Sequence, residues 1–166
     1  MENLAQLAIV PVTLKTRGVF SALLEEARAW QNNAGFESWT YPFNDAWMIP
    51  RIERGELFLA FVNAEPIGAI RLLSEDHVFW GGQVARNSLY LHTFAVCRER
   101  AGTGLGASII DQVAEMAREK GCESVRLDCC LSSTRLISFY ERNGFSSIGR
   151  ILWDGKMMNL MERSLL

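Results

Sequence analysis

The 166-residue sequence is most informative first for what it lacks. It has four cysteines, Cys97, Cys122, Cys129 and Cys130, with no CxxC pair and no Cys/His spacing of the kind that holds zinc. A disulfide framework and a metal centre are therefore not expected. Small core residues in a reducing compartment are the plainer reading, and a cytoplasmic protein the expectation. There is no excess of positive charge: 17 Lys and Arg stand against 19 Asp and Glu, for a net charge of −2. No global basic field exists to hold nucleic acid, although net charge says nothing about a local patch. No apolar run approaches the length that spans a bilayer. The leading MENLAQLAIVPVTLKTRG has one short apolar stretch and no basic lead, so neither a secretion signal nor a membrane anchor is expected there. Repeats, low-complexity segments and linkers are missing too.

What is present is an ordinary globular composition, 49% apolar and 22% charged. The length suits one domain over residues 1–166, able to bury a core without staples. Leu7 to Leu14 reads as a first strand. Phe20, Leu23, Leu24, Ala27 and Trp30 recur at helical spacing and predict a helix from Arg17 to about Gln31. Residues 35–47 are aromatic without a period. A short helix over Asp45–Arg54 stops at Gly55. Glu56–Val62 and Ile67–Leu73 read as strands joined across residues 63–66. Residues 74–87 read as a loop, and Ser88–Val96 as a strand. Gly104–Lys120 is the strongest helix, with Ile109, Ile110, Val113, Met116 and Ala117 as its apolar stripe. Ser124–Cys130 reads as a strand, Thr134–Arg142 as a helix, and Phe145–Trp153 with Lys156–Arg163 as a hairpin across Asp154-Gly155, a type I′ signal. The sum is an α/β chain: a mixed, mostly antiparallel sheet of about seven strands flanked by about four helices.

The segment richest in chemistry is Arg100-Ala101-Gly102-Thr103-Gly104-Leu105-Gly106-Ala107, between a strand and a helix start. Its glycines let the backbone turn tightly and approach a ligand. The first helical turn offers unsatisfied N–H groups and a partial positive charge, so the two together suit a phosphate. A dinucleotide fingerprint also fits Gly102-x-Gly104-x-x-Ala107, with Asp128 about 20 residues on. Against it, Cys97–Ala101 separate the strand from the first glycine, and too little chain follows Asp128 for a second nucleotide half.

In the order and spacing of Leu91-His92-Thr93-Phe94-Ala95-Val96, the loop 101–106, the helix to Lys120, Arg126-Leu127-Asp128-Cys129 and Phe139-Tyr140-Glu141-Arg142-Asn143-Gly144-Phe145, the sequence resembles the GCN5-related N-acetyltransferase superfamily. The likeness runs from about Leu89 to Phe145. Gly104 and Gly106 match the glycines of the family's Gln/Arg-x-x-Gly-x-Gly/Ala motif, while Ala101 stands at its leading position with Arg100 one residue early. Ser133 stands where the family has an asparagine.

The resemblance implies acetyl-CoA as the coenzyme. Phe94, Ala95 and Val96 would offer main-chain groups to its pantetheine arm. Ala101, Gly102, Thr103, Gly104, Leu105, Gly106 and Ala107 would hold its pyrophosphate, and Ser133 would bond the arm or the phosphate. Tyr140 would protonate the departing thiolate; a phenol, with a reference pKa of about 10, is near enough to a thiol to do so. His92 is the base candidate, because an ammonium must lose a proton before it attacks and a neutral imidazole can take it. Tyr90 shares a strand face with His92 and is a candidate substrate contact beside it. Asp128 reads as a structural acid, orienting a neighbour or pairing on the face of Arg126. Trp39, Tyr41 and Trp47 could wall an apolar or cationic acceptor. Glu37, Asp45, Glu53 and Asp76 could draw in an ammonium, although solvated surface charge explains each acid as well.

The activity expected is N-acetylation of a small-molecule amine by direct transfer in a ternary complex, since no cysteine context suggests an acetyl-enzyme. Two alternatives stay open: acetylation of a protein or peptide amine, and a non-catalytic acyl-CoA-binding regulatory domain. The family also forms dimers, so a homodimer is compatible. Neither nucleic acid nor membrane is an expected partner.

Overall fold

A computed structural model describes residues 6–36 and 38–166. Among them are seven strands in one sheet, ordered β1-β2-β3-β4-β5-β7-β6. The strands are β1 (Leu7–Pro11), β2 (Leu57–Val62), β3 (Glu65–Leu73), β4 (Ser88–Val96), β5 (Ser124–Cys130), β6 (Ser146–Trp153) and β7 (Lys156–Ser164). The helices are α1 (Arg17–Asn33), α2 (Asp45–Glu53), α3 (His77–Trp80), α4 (Leu105–Glu119) and α5 (Thr134–Arg142). No described helix is long and apolar enough to cross a membrane. The chain divides into two compact units, Met1–Leu72 with Thr93–Ile109, and Leu73–His92 with Ile110–Leu166.

In the first unit β1, β2 and β3 form antiparallel pairs. α1 buries Phe20, Leu23, Leu24 and Ala27, which recur every three or four residues and so share one side of the helix, in a core with Leu57, Leu59 and Ala69. Trp30, expected on that stripe, is 37% exposed; its ring lies 3.7 Å under the guanidinium of Arg98. The β2–β3 connection is tighter than the sequence suggests. Asn63 and Ala64 both adopt left-handed φ (50° and 64°), the geometry of a two-residue hairpin turn, so β3 begins at Glu65 rather than Ile67. Pro66 is accommodated where the pairing shifts register between Ala60 and Phe61. Gly68 is required by close approach, because a Cβ there would stand 3.0 Å from Ile109 Cδ1 and 3.2 Å from the Ala95 carbonyl oxygen.

In the second unit β4 and β5 run parallel, and β5–β7 and β7–β6 antiparallel. The β6–β7 turn has left-handed Asp154 and Gly155, as the Asp-Gly pair predicts. Arg126 on β5 is buried, at 1% exposure. Its Nε donates to Glu162 Oε2 (2.7 Å), one terminal nitrogen to the Val84 carbonyl (2.8 Å) and the other to the Tyr90 hydroxyl (3.4 Å), and its guanidinium lies 4.6 Å over the Trp80 ring. The segment 74–87, expected to be a loop throughout, contains α3, one turn opened by the Asp76 carboxylate accepting from the Phe79 N–H at 3.1 Å. A helix of one turn is too short to leave a periodic signal in sequence.

Candidate active site

The first unit holds the glycine loop. Residues 98–100 form a single 3₁₀ turn, and Gly102 and Gly104 then take φ of 76° and 86°, conformations that a side chain resists. A Cβ at either glycine would meet nothing within 4 Å, so it is the backbone geometry and not crowding that calls for glycine. Ala101 to Gly104 are exposed. The Thr103 hydroxyl donates to the Arg100 carbonyl at 2.5 Å and steadies the turn. The Ser108 N–H donates to the Gly104 carbonyl at 3.1 Å, beginning the helical ladder. The N–H groups of Leu105, Gly106 and Ala107, in the first turn, precede the intrahelical acceptors. They fit an anion such as pyrophosphate. Arg100, one residue early against the family motif, pairs with Glu65 at 2.6 Å.

Thr93 lies inside β4 with φ of 48°, an outlier for a β-branched residue that costs on the order of 1–3 kcal/mol. It turns the strand where Phe94, Ala95 and Val96 follow. Nothing in the run Leu91–Val96 signals this, since it holds no glycine, proline, asparagine or aspartate to mark a break in the strand.

The aromatic segment folds onto itself. Phe43 meets Trp39 (5.4 Å), Tyr41 (5.4 Å) and Trp47 (5.1 Å) edge-on, and Tyr41 stacks on Trp47 at 5.8 Å. Guanidinium groups already cover two of these rings: Arg51 at 4.4 Å over Trp47 and Arg28 at 4.7 Å over Phe43. Asp45 is exposed and paired with Arg17 at 2.8 Å, and Glu53 is exposed; both are surface charges. Glu37 lies outside the described residues.

The second unit gathers the titratable groups. His92 Nε2 lies 2.8 Å from Asp76 Oδ2, and His92 Nδ1 lies 3.5 Å from Asp128 Oδ1. The three side chains are 15%, 5% and 10% exposed. Burial alone would raise the Asp76 carboxyl, but hydrogen bonds from His92 and the Phe79 N–H hold it below the usual carboxylate value. Asp128 goes the other way. Burial, with the charge of Asp76 added, raises it to about 6 despite the opposing pull of His92, and its Oδ1 is buried without a hydrogen bond. These three are the one group of described residues whose ligand atoms could reach a single metal ion, all within 4.8 Å. The two carboxylates face different ring nitrogens, however, which is the arrangement of a hydrogen-bonded imidazole rather than of ligands converging on one ion. Tyr90, although it shares the strand face with His92, is buried against Trp80 and Arg126.

Tyr140, on α5, is buried between Phe139 (5.3 Å) and Phe145 (5.6 Å). The return of the chain at left-handed Gly144 brings the Phe145 N–H to the Tyr140 carbonyl at 3.1 Å. Burial, reinforced by Cys129 and Asp128, pushes the phenol well above its ordinary value, so it stays protonated. Ser133 caps α5 without a side-chain capping bond.

A sequence model of the Acetyltransferase (GNAT) family matches residues 17–145. The chain is 29% identical over 165 residues to the uncharacterised N-acetyltransferase YesJ of Bacillus subtilis, covering 93% of this chain and 88% of that one. Its fold matches a GNAT-family acetyltransferase from Listeria monocytogenes with a TM-score of 0.81 at 24% identity, over 96% and 95% of the two chains. It also matches the PaiA N-acetyltransferase of Thermoplasma acidophilum, solved in complex with coenzyme A, with a TM-score of 0.72 at 19% identity over 96% and 99%. With most of its length matched by the family's own sequence pattern, and with the seven-stranded fold of its members, the chain belongs to the GNAT family of acetyltransferases.

Proposed function

We propose that the protein transfers an acetyl group from acetyl-CoA to the amine of a small molecule, directly and without an acetyl-enzyme. The observation that carries this reading is the His92 cluster: an imidazole in a half-buried pocket of carboxylates, as deprotonation of an ammonium requires. The relative with bound coenzyme A supports the same donor here. The left-handed turn at Gly102 and Gly104 and the N–H groups of residues 105–107 would hold the pyrophosphate. Phe94, Ala95 and Val96, after the turn at Thr93, would bond the pantetheine arm, with Ser133 as a further contact.

The coenzyme supplies the thioester; the residues of this chain move protons. The His92 cluster takes one proton from the substrate ammonium, Tyr140 gives its proton to the departing thiolate, and the second proton lost from the nitrogen restores Tyr140. Cys97, Cys122 and Cys129 are each held above the ordinary thiol value by burial, Cys129 pushed up to about 12, so none of the three supplies a thiolate for acetyl transfer through cysteine. All four cysteines are free, which fits the cytoplasm as the compartment. Exposed Tyr41 and half-buried Trp39 are the wall we assign to the acceptor, with Trp47, which stacks on Tyr41 and carries Arg51 on its ring, as part of it.

The test is incubation with acetyl-CoA and a panel of small amines and peptide N-termini, reading free thiol. Release with small amines is expected. Release with peptides alone would transfer the assignment to a peptide N-acetyltransferase. Tight coenzyme binding with no release by any acceptor would make the chain a regulatory acyl-CoA binder.

A further inference from the structure

The imidazole of His92 is bracketed by two carboxylates that differ in kind. Asp76 is fixed from both sides: Oδ1 accepts from the Phe79 N–H at 3.1 Å, and Oδ2 faces His92 Nε2 at 2.8 Å. Those two bonds outweigh its burial and keep it ionised. An ionised carboxylate only accepts hydrogen bonds, so Nε2 must carry the hydrogen. The neutral ring is thereby the Nε2–H tautomer, with its lone pair on Nδ1. That lone pair faces Asp128 Oδ1 at 3.5 Å, an atom that is buried and has no hydrogen bond of its own.

We propose that the group accepting the proton of the substrate amine is the His92–Asp128 pair, sharing one proton between Nδ1 and Oδ1, and that Asp76 is the positioning residue that fixes the ring for it. The inference rests on the acetyltransfer reading for the source of the proton, but not for the geometry of the pair. Without the proton, His92 is neutral and both aspartates are charged. The ammonium then gives up one proton, which lies on Nδ1 facing the Asp128 carboxylate or on Oδ1 facing the Nδ1 lone pair. The two arrangements carry the same charge, and the free amine is left with the electron pair it needs to attack.

The surroundings support this. α3 turns the uncharged ring of Phe79 toward His92 at 6.2 Å, and β7 places Leu160 opposite Asp128. His77, on the same turn, is exposed and paired with Glu75. The charged and titratable groups around the pair are therefore Asp76 and, with Asp128 acting on them through the field, Cys129 and Tyr140. Burial raises Asp128 to about 6, which brings its proton affinity close to that of an ordinary imidazole. Two groups this close that compete for one proton titrate as a unit.

The sign of the pH dependence follows. The rate rises with pH as the pair loses its shared proton and falls as pH drops through the pair's apparent pKa. In Asp128→Asn the imidazole loses a facing negative charge and binds its proton less tightly, so the acidic limb of the kcat/KM profile moves to lower pH, by about one unit or more. Nitrogen-15 NMR of His92 gives a reading that needs no turnover. Wild type above the transition is expected to show a protonated Nε2 and a bare Nδ1, and the midpoint is expected to fall in Asp128→Asn by the same shift as the kinetic limb. Asp76→Ser keeps a hydroxyl to open α3 but cannot reach the ring; it is expected to give mixed tautomers and to lower kcat at least tenfold with coenzyme affinity unchanged. A bare Nε2 in wild type, or an unmoved midpoint in Asp128→Asn, would overturn the proposal. If no amine is acetylated but both NMR results hold, the pair stands and the acetyltransfer reading falls.

Discussion

Arg126→Met removes the charge that stands in the middle of the second unit's polar network and leaves Glu162 behind. Both side chains are mostly enclosed, 2% and 12% exposed, and the Nε–Oε2 distance is 2.7 Å. After the substitution Glu162 keeps, among the described residues, the Ser124 hydroxyl at 3.2 Å and the distant Arg86 Nε at 4.0 Å, and the Val84 carbonyl loses its donor. Breaking a buried pair by deleting one partner costs about 3–5 kcal/mol, because the remaining charge stays desolvated without compensation. That is a large part of the roughly 5–15 kcal/mol by which domains of ordinary stability fold. With an m-value of about 2 kcal/mol/M, urea unfolding should reach its midpoint about 1.5–2.5 M lower than in wild type. The double variant Arg126→Met/Glu162→Leu removes both charges and should regain at least half of the loss. A single-variant cost below about 1 kcal/mol, or a double variant no more stable than the single, would refute the view that charge left unpaired is what destabilises the fold.

Tyr140→Phe should lower kcat by roughly 10²–10⁴-fold, the range for general acid catalysis, with coenzyme affinity and thermal midpoint close to wild type, as steady-state kinetics and a melt would show; unaltered kcat removes Tyr140 as the acid. Gly104→Ala forces alanine to φ of 86°, a strain of about 1–2 kcal/mol with no clash. The loop is expected to relax away from its turn and weaken coenzyme binding in calorimetry, and unchanged affinity would move the phosphate site elsewhere.

Much of the fold was legible because its determinants are local. The stripes of α1 and α4, the Asp154-Gly155 turn and the glycine loop each depend on residues within a few positions of one another. Where local rules competed, they misled. Pro66 suggested a longer connection, whereas Ala64 adopts a left-handed conformation that alanine seldom takes. Trp30 has the spacing of a core residue and lies instead against Arg98. For the aromatic segment the structure adds what the sequence does not carry: the rings pack on one another, and Arg51 and Arg28 cover two of them.

The site divides in the same way. The glycine loop, Tyr140 and His92 stand out as candidates in the sequence, since motif spacing and residue chemistry are carried along the chain. What His92 faces could not. Asp76 lies in a polar stretch with no periodic signal, and Asp128 on a strand that reads as structural; they meet the imidazole because a short turn opened by Asp76 and the parallel β4–β5 pairing bring them there. Sequence alone therefore determined the longer elements and the chemical groups available, but not the single turn of α3. Only the tertiary structure decided which carboxylate stays ionised and which is raised, because burial and distance set a charge's energy and neither is a property of position along the chain.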